Sequence, residues 1–115
     1  MRRDPKRQAS VLVLAFVLLA IVASPASAAP TPVTITGTSS LDYAFSPKTV
    51  NITKGGSVRW TWSGIIPHNV TFKTLGRPSE STTTGDYRRR FAKAGKYRYT
   101  CTLHGFGGKV VVSKP

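Results

Sequence analysis

The sequence has 115 residues, of which 17 are lysine or arginine and only 4 are aspartate or glutamate, so its formal net charge at pH 7 is +13. Such a basic chain favours anionic partners. Its single cysteine, Cys101, excludes an intramolecular disulfide, and its length leaves room for one small domain.

The first 28 residues have the pattern of a secretory signal peptide. Four basic side chains lie within residues 1–7, an apolar run occupies residues 9–23, and residues 26–28 are small. The apolar run is shorter than the roughly 20 residues that a membrane-spanning helix needs. We therefore expect cleavage after Ala28 and an extracytoplasmic location, periplasmic or secreted, where nucleic acid is not a partner. Retention of the segment as an uncleaved anchor is the alternative.

Beyond the signal peptide, short stretches alternate apolar and polar residues, which is typical of strands with one buried face. Glycine and proline turns separate them, including one at Ser63 and Gly64, and residues 73–86 are predicted to form the longest loop, with a short helix or no regular structure. Seven or eight strands without a helix predict an all-β sandwich of two sheets. The predicted strands include Val33 and Ile35, Val50 and Ile52, and residues 58–62, 69–72, 87–91, 97–101 and 109–112.

The predicted organisation is a signal peptide at 1–28, a mobile lead with the first strand region at 29–40, and one folded domain at 41–115. Exported domains of this size usually depend on disulfides, which a single cysteine cannot supply. A bound metal ion is an alternative source of stability.

The only cysteine and the only two histidines of the chain form a candidate metal site. Cys101 and His104 end one predicted strand and His68 ends another. A thiolate and two imidazoles are the donors of a trigonal copper site. Because Arg98 lies on the opposite side of its strand, alternation directs Cys101 towards the core. A buried structural thiol predicts the same burial but does not account for His104. One cysteine makes a zinc finger improbable, and a Cys/His hydrolase lacks a recognisable third residue.

Several motifs together resemble the cupredoxins, and among them the small amicyanin-like and plastocyanin-like blue-copper proteins. The similarity runs from about residue 41 to residue 112, most of the chain after the signal peptide. It includes a Tyr-Ala-Phe-Ser-Pro segment at 43–47, a Pro-His-Asn-Val segment at 67–70, and an Ala-Gly-Lys-Tyr-Arg-Tyr-Thr-Cys-Thr-Leu-His segment at 94–104. The resemblance implies a Greek-key β-sandwich that binds one copper ion, cycling between Cu(I) and Cu(II), through His68, Cys101 and His104. It also implies that Asn69 ties the His68 loop to the loop after the cysteine through Thr102.

The sequence departs from this family at the axial position, where a methionine usually follows the second histidine. Gly107 stands at the corresponding position, three residues after His104. Met1, the only methionine, belongs to the predicted signal peptide. A backbone carbonyl, for which Pro67 is the first candidate, a water molecule or no ligand would then occupy the position. Phe106 decides between a sealed and an open site, and the two glycines after it favour the open one.

We expect a monomeric one-electron carrier rather than an enzyme, since one mononuclear site offers neither a substrate pocket nor a second copper centre. The alternatives are a copper-binding or delivery module and a structural cupredoxin-like domain with weakened metal binding. The expected partner is a redox protein with an acidic surface, and anionic lipids or wall polymers are further candidates. It would approach an apolar rim of Ile65, Ile66, Pro67 and Leu103 around His104, or the basic run at Arg88–Arg90 with Lys93, Lys96 and Arg98 nearby.

Overall fold

The computed structural model describes residues 28–115. The signal peptide predicted for residues 1–28 therefore lies outside the described part, apart from Ala28. Within the described residues, no helix is long and apolar enough to span a membrane.

Residues 28–115 contain eight strands, which form two four-stranded sheets. The first sheet has the order β2-β1-β4-β6 and the second the order β3-β8-β7-β5. Each sheet is mixed, because β1 runs parallel to β4 and β3 runs parallel to β8. The strands are β1 (Thr31–Thr36), β2 (Ala44–Ser46), β3 (Thr49–Thr53), β4 (Ser57–His68), β5 (Thr71–Phe72), β6 (Thr82–Arg90), β7 (Gly95–Thr100) and β8 (Gly107–Ser113).

The core between the sheets follows the apolar alternation of the sequence. Val58, Trp60 and Trp62 of β4 are buried, while Arg59 between them is exposed. Val110 and Val112 of β8 and Tyr99 of β7 face the same interior from the second sheet. Burial of such side chains contributes roughly 1.5–3 kcal/mol each, relative to leaving them exposed. The predicted all-β sandwich is confirmed.

The structure corrects two of the predicted turn and loop boundaries. The predicted turn at Ser63 and Gly64 lies inside β4, which continues to His68 through an irregular pairing with β6. The predicted loop at 73–86 ends early, because β6 begins at Thr82. β1 pairs with β4, and its Val33 is fully buried in the core.

Candidate metal centre

His68 lies where the chain crosses from one sheet to the other. It is the last residue of β4 in the first sheet, and β5 in the second sheet begins three residues later, at Thr71. The crossing residues 68–70 are all buried. β5 pairs with β7 so that Thr71 lies opposite Thr100. This register brings the residues just before β5 next to those just after β7, and so His68 near Cys101.

Cys101 follows β7 directly and is fully buried. Its amide donates a hydrogen bond to the Phe106 carbonyl at 2.9 Å, and its carbonyl accepts one from the Gly105 amide at 2.8 Å. These bonds close residues 101–106 into a tight turn. Gly105 has φ +83°, a conformation that favours glycine. The turn returns His104 to the side of Cys101.

The three predicted ligands converge. The Cys101 Sγ atom lies 3.9 Å from His68 Nδ1 and 3.7 Å from His104 Nδ1, and the possible ligand atoms all lie within 4.8 Å of one another. Bond lengths of about 2.3 Å to sulfur and about 2.0 Å to imidazole nitrogen, typical of zinc, put the two donors of a trigonal site about 3.7 Å apart. The spacing therefore fits one metal ion, and the soft thiolate with two imidazoles is a donor set that suits copper.

The surroundings of His68 favour its neutral form. Burial lowers the pKa of the His68 imidazole below its ordinary value, and the nearby His104 lowers it further. Desolvation acts in this direction because it penalises the charged imidazolium. Neutral imidazole is the form that ligates a metal ion.

Asn69 connects the two ligand-bearing segments. Its amide nitrogen donates to Thr102 Oγ1 at 2.9 Å and to Ser81 Oγ at 3.0 Å. Its carbonyl oxygen accepts from the Thr102 amide at 3.1 Å and from the Thr71 hydroxyl at 3.0 Å. The side chain thus bridges the residue after His68 to the residue after Cys101. This is the Asn69–Thr102 contact that the resemblance implies, with Ser81 as a further partner.

Two aromatic rings flank the histidines. Phe106 packs on the buried Phe45 with ring centroids 4.7 Å apart, and its centroid lies 5.6 Å from that of His68 and 6.3 Å from that of His104. Tyr43 lies closer, at 4.7 Å from His68 and 5.1 Å from His104. Tyr43 was not among the residues predicted for the site. Its alternation with Phe45 two residues later was the signal that places both rings on one face.

Gly107 lies three residues after His104, at the position where the resemblance leads us to expect the axial methionine. It belongs to β8 and pairs with Thr100. A Cβ atom added there would lie 2.9 Å from the Tyr99 carbonyl oxygen and 3.3 Å from Thr100 Cγ2. A side chain at this position would therefore meet the neighbouring strand. Pro67, the candidate for a carbonyl ligand, is exposed near the end of β4.

The surface near the site is apolar. Ile65 is 91% exposed and Leu103 is 50% exposed, while Pro67 is exposed and Ile66 is half-buried. His104, next to Leu103, is itself half-buried. The predicted rim thus lies at the surface, although exposure of single apolar residues is common in soluble proteins.

The family model described as a cupredoxin-like domain matches residues 11–112. The chain is 40% identical over 76 residues to amicyanin-alpha of Methylorubrum extorquens. The match covers 59% of this chain and 63% of that relative, which is less than two thirds of the relative's length. It is 36% identical over 98 residues to amicyanin of Paracoccus versutus, covering 76% of this chain and 72% of the relative. A solved purple cupredoxin from Nitrosopumilus maritimus matches with a TM-score of 0.64 at 25% identity, covering 72% of this chain and 99% of that one.

Proposed function

This chain belongs to the cupredoxin-like family, and on that premise we propose that it is an exported mononuclear copper protein that acts as a one-electron carrier. The observation that carries the proposal is the convergence of His68, Cys101 and His104, with sulfur-to-nitrogen distances of 3.9 and 3.7 Å. Copper bound there would supply the Cu(I)/Cu(II) couple. Export rests on the sequence pattern of residues 1–28.

The protein supports this role by holding its ligands in one arrangement. Cys101 and His68 are buried, and the Asn69 amide links their segments through Thr102. Hydrogen bonds behind the ligands fix their orientation and tune the metal. A site that does not need to rearrange suits electron transfer. The same rigidity favours a carrier over a delivery module, which would have to release its metal.

We assign the contact with a redox partner to the surface around His104. This imidazole is half-buried, whereas His68 and Cys101 are buried, so it is the most accessible of the three ligands. The exposed side chains of Leu103 and Ile65 provide an apolar surface for docking. The basic run offers a second surface, but Arg89 is half-buried and hydrogen-bonded to the Gly76 carbonyl at 2.6 Å, leaving Arg88 and Arg90 exposed.

At the axial position, we propose that no methionine sulfur contributes. The only methionine of the chain is Met1. The sequence favoured an open position, whereas the packing of Phe106 on Phe45 beside both histidines favours a sealed one. A sealed site without an axial ligand would be trigonal and would have a raised reduction potential, because nothing compensates the copper charge from that side.

The proposal is tested by titrating the purified protein with Cu(II) and recording the visible absorption spectrum. We expect an intense thiolate-to-copper band that saturates at one equivalent. Cys101→Ser should abolish it, because a serine hydroxyl stays protonated where the thiol ionises on binding. A Cys101→Ser variant with the parent spectrum would refute the assignment. Loss of copper to a mild chelator after reduction would favour delivery over electron transfer.

A further inference from the structure

The outer face of the second sheet holds two cations directly opposite each other. Arg98 of β7 and Lys109 of β8 are register partners, and Arg98 is exposed while Lys109 is half-buried. Like charges in such cross-strand positions are destabilising. Nothing in the core packing of the sandwich requires this pair, because alternation puts both side chains on the face away from the core.

Two more cations join this pair from other segments. Lys48 precedes β3, and its carbonyl accepts a hydrogen bond from the Lys109 amide at 2.9 Å. Lys73 follows β5, and its amide donates to the Arg98 carbonyl at 3.1 Å. All four residues line one open concavity of about 450 Å³, which we call the basic concavity. This volume falls in the range of small-molecule sites, about 300–1,000 Å³.

Acidic side chains do not line the basic concavity. Residues 28–115 contain three: Asp42, Glu80 and Asp86. Asp86 pairs with Arg59 of the first sheet at 2.6 Å, and Asp42 accepts hydrogen bonds from the Thr38 and Ser39 amides of its own loop. The four cations of the concavity therefore have no carboxylate among its lining residues to balance their charge.

The shape of the concavity is fixed by backbone packing. Gly107 and Gly108 line it beside Thr100. A Cβ atom at Gly108 would lie 2.8 Å from the Lys48 carbonyl oxygen, and one at Gly107 would lie 2.9 Å from the Tyr99 carbonyl oxygen. Both contacts are closer than real Cβ atoms make, so glycine is required at both positions. A larger residue at either position would displace the Lys48 or Tyr99 backbone that adjoins Arg98 and Lys109.

We propose that the basic concavity binds a small multivalent oxyanion of the phosphate class. A phosphate group carries close to two negative charges and three acceptor oxygens, which matches several converging cations better than a single carboxylate does. The planar guanidinium of Arg98 would bind two oxygens together, and Lys109, Lys48 and Lys73 would act as point charges around it. The proposal does not depend on copper binding, because none of the three metal ligands lines the concavity.

The test is calorimetric titration of the purified protein with pyrophosphate in a phosphate-free buffer at low and physiological salt. Arg98→Gln combined with Lys109→Gln should weaken binding by about tenfold or more, since hydrogen bonds to charged groups are the strong ones. The matched control is Arg88→Gln combined with Arg90→Gln, which removes the same charge from exposed positions of the first sheet. It should change the dissociation constant by less than about twofold.

Equal weakening by the two double variants would overturn the proposal, because binding would then follow net charge alone. Absence of binding at millimolar pyrophosphate would overturn it as well. Unfolding midpoints establish that the variants are folded. The combined variant Lys48→Gln and Lys73→Gln, with both changes at exposed positions, provides a second test. Vesicles of phosphatidylglycerol, compared with phosphatidylcholine, identify the source of the phosphate. Binding to pyrophosphate alone supports a soluble ligand, and Arg98-dependent binding to both supports a lipid headgroup.

Discussion

Replacement of Asn69 by alanine tests the link between the fold and the metal site. The side chain is 3% exposed and makes four hydrogen bonds, two of them to Thr102 across the gap between the ligand segments. Ser81 and Thr102 are exposed, so their hydroxyls can bond to water when the amide is removed. The Thr102 amide and the hydroxyl of the half-buried Thr71 also lose a partner.

The expected loss can be estimated from these bonds. Each contributes about 0.5–1.5 kcal/mol net, so four bonds with partial replacement by water amount to about 2–3 kcal/mol. For a domain of this size, each 1 kcal/mol shifts the melting temperature by about 4–8 °C, so we expect a decrease of about 10–20 °C. The absorption band of the Cu(II) protein should also shift, because the Cys101 and His68 segments lose their common anchor.

Thermal unfolding of the metal-free protein and the visible spectrum of the Cu(II) protein measure the two effects. Thr71→Val is the matched control, since it removes only the hydroxyl that donates to Asn69 and should cost about 1 kcal/mol. A melting temperature for Asn69→Ala no lower than that of the control would refute the bridging role. Destabilisation with an unchanged spectrum would refute the orienting role alone.

Three further predictions concern the metal and the turn after it. Copper should raise the unfolding midpoint, by about 4 kcal/mol of stability when free copper is a thousandfold above its dissociation constant, and equal midpoints with and without copper would contradict this. Azide should leave the Cu(II) spectrum of the parent unchanged and alter that of Phe106→Ala, whereas a response of the parent would establish an open axial position. Gly107→Met should destabilise the protein by about 1–3 kcal/mol in denaturant titrations, because its Cβ meets the Tyr99 carbonyl oxygen. Parent-like stability would show that β8 accommodates the side chain.

The site was largely predictable because its determinants are local. Cys101 and His104 lie three residues apart at a strand end, and the alternation with Arg98 indicates the buried side of the strand without reference to any tertiary contact. His68 was identified as one of the chain's two histidines at a predicted strand end, but no local pattern reveals that β5 pairs with β7 and so brings His68 beside Cys101. Tyr43 was missed for the same reason, because it reaches the histidines from a different segment.

The start of β6 was not predictable from its own residues. Thr82–Thr84 and Gly85 have no apolar alternation, and the segment has the composition of a loop. It becomes a strand by pairing with β4, where Trp62 lies opposite Gly85. The Trp62 indole donates to the Thr82 carbonyl at 2.8 Å, and a Cβ atom at Gly85 would overlap the Trp62 ring. In the local sequence Gly85 therefore indicates a turn, whereas in the folded structure it leaves room for the Trp62 ring.

The positions of the basic residues on the surface also depend on strand pairing and not only on their order in the sequence. The run from Arg88 to Arg98 is the densest in the sequence, but β6 and β7 belong to different sheets and thus separate it. Alternation further turns Arg89 against Phe72, with its guanidinium 5.4 Å from the ring centroid. The basic concavity instead combines Arg98 with lysines from three other segments. The density of charge along a chain therefore does not locate a charged surface in a sandwich. Neighbouring residues of a strand lie on opposite faces of its sheet, and strands that follow each other in the chain can belong to different sheets.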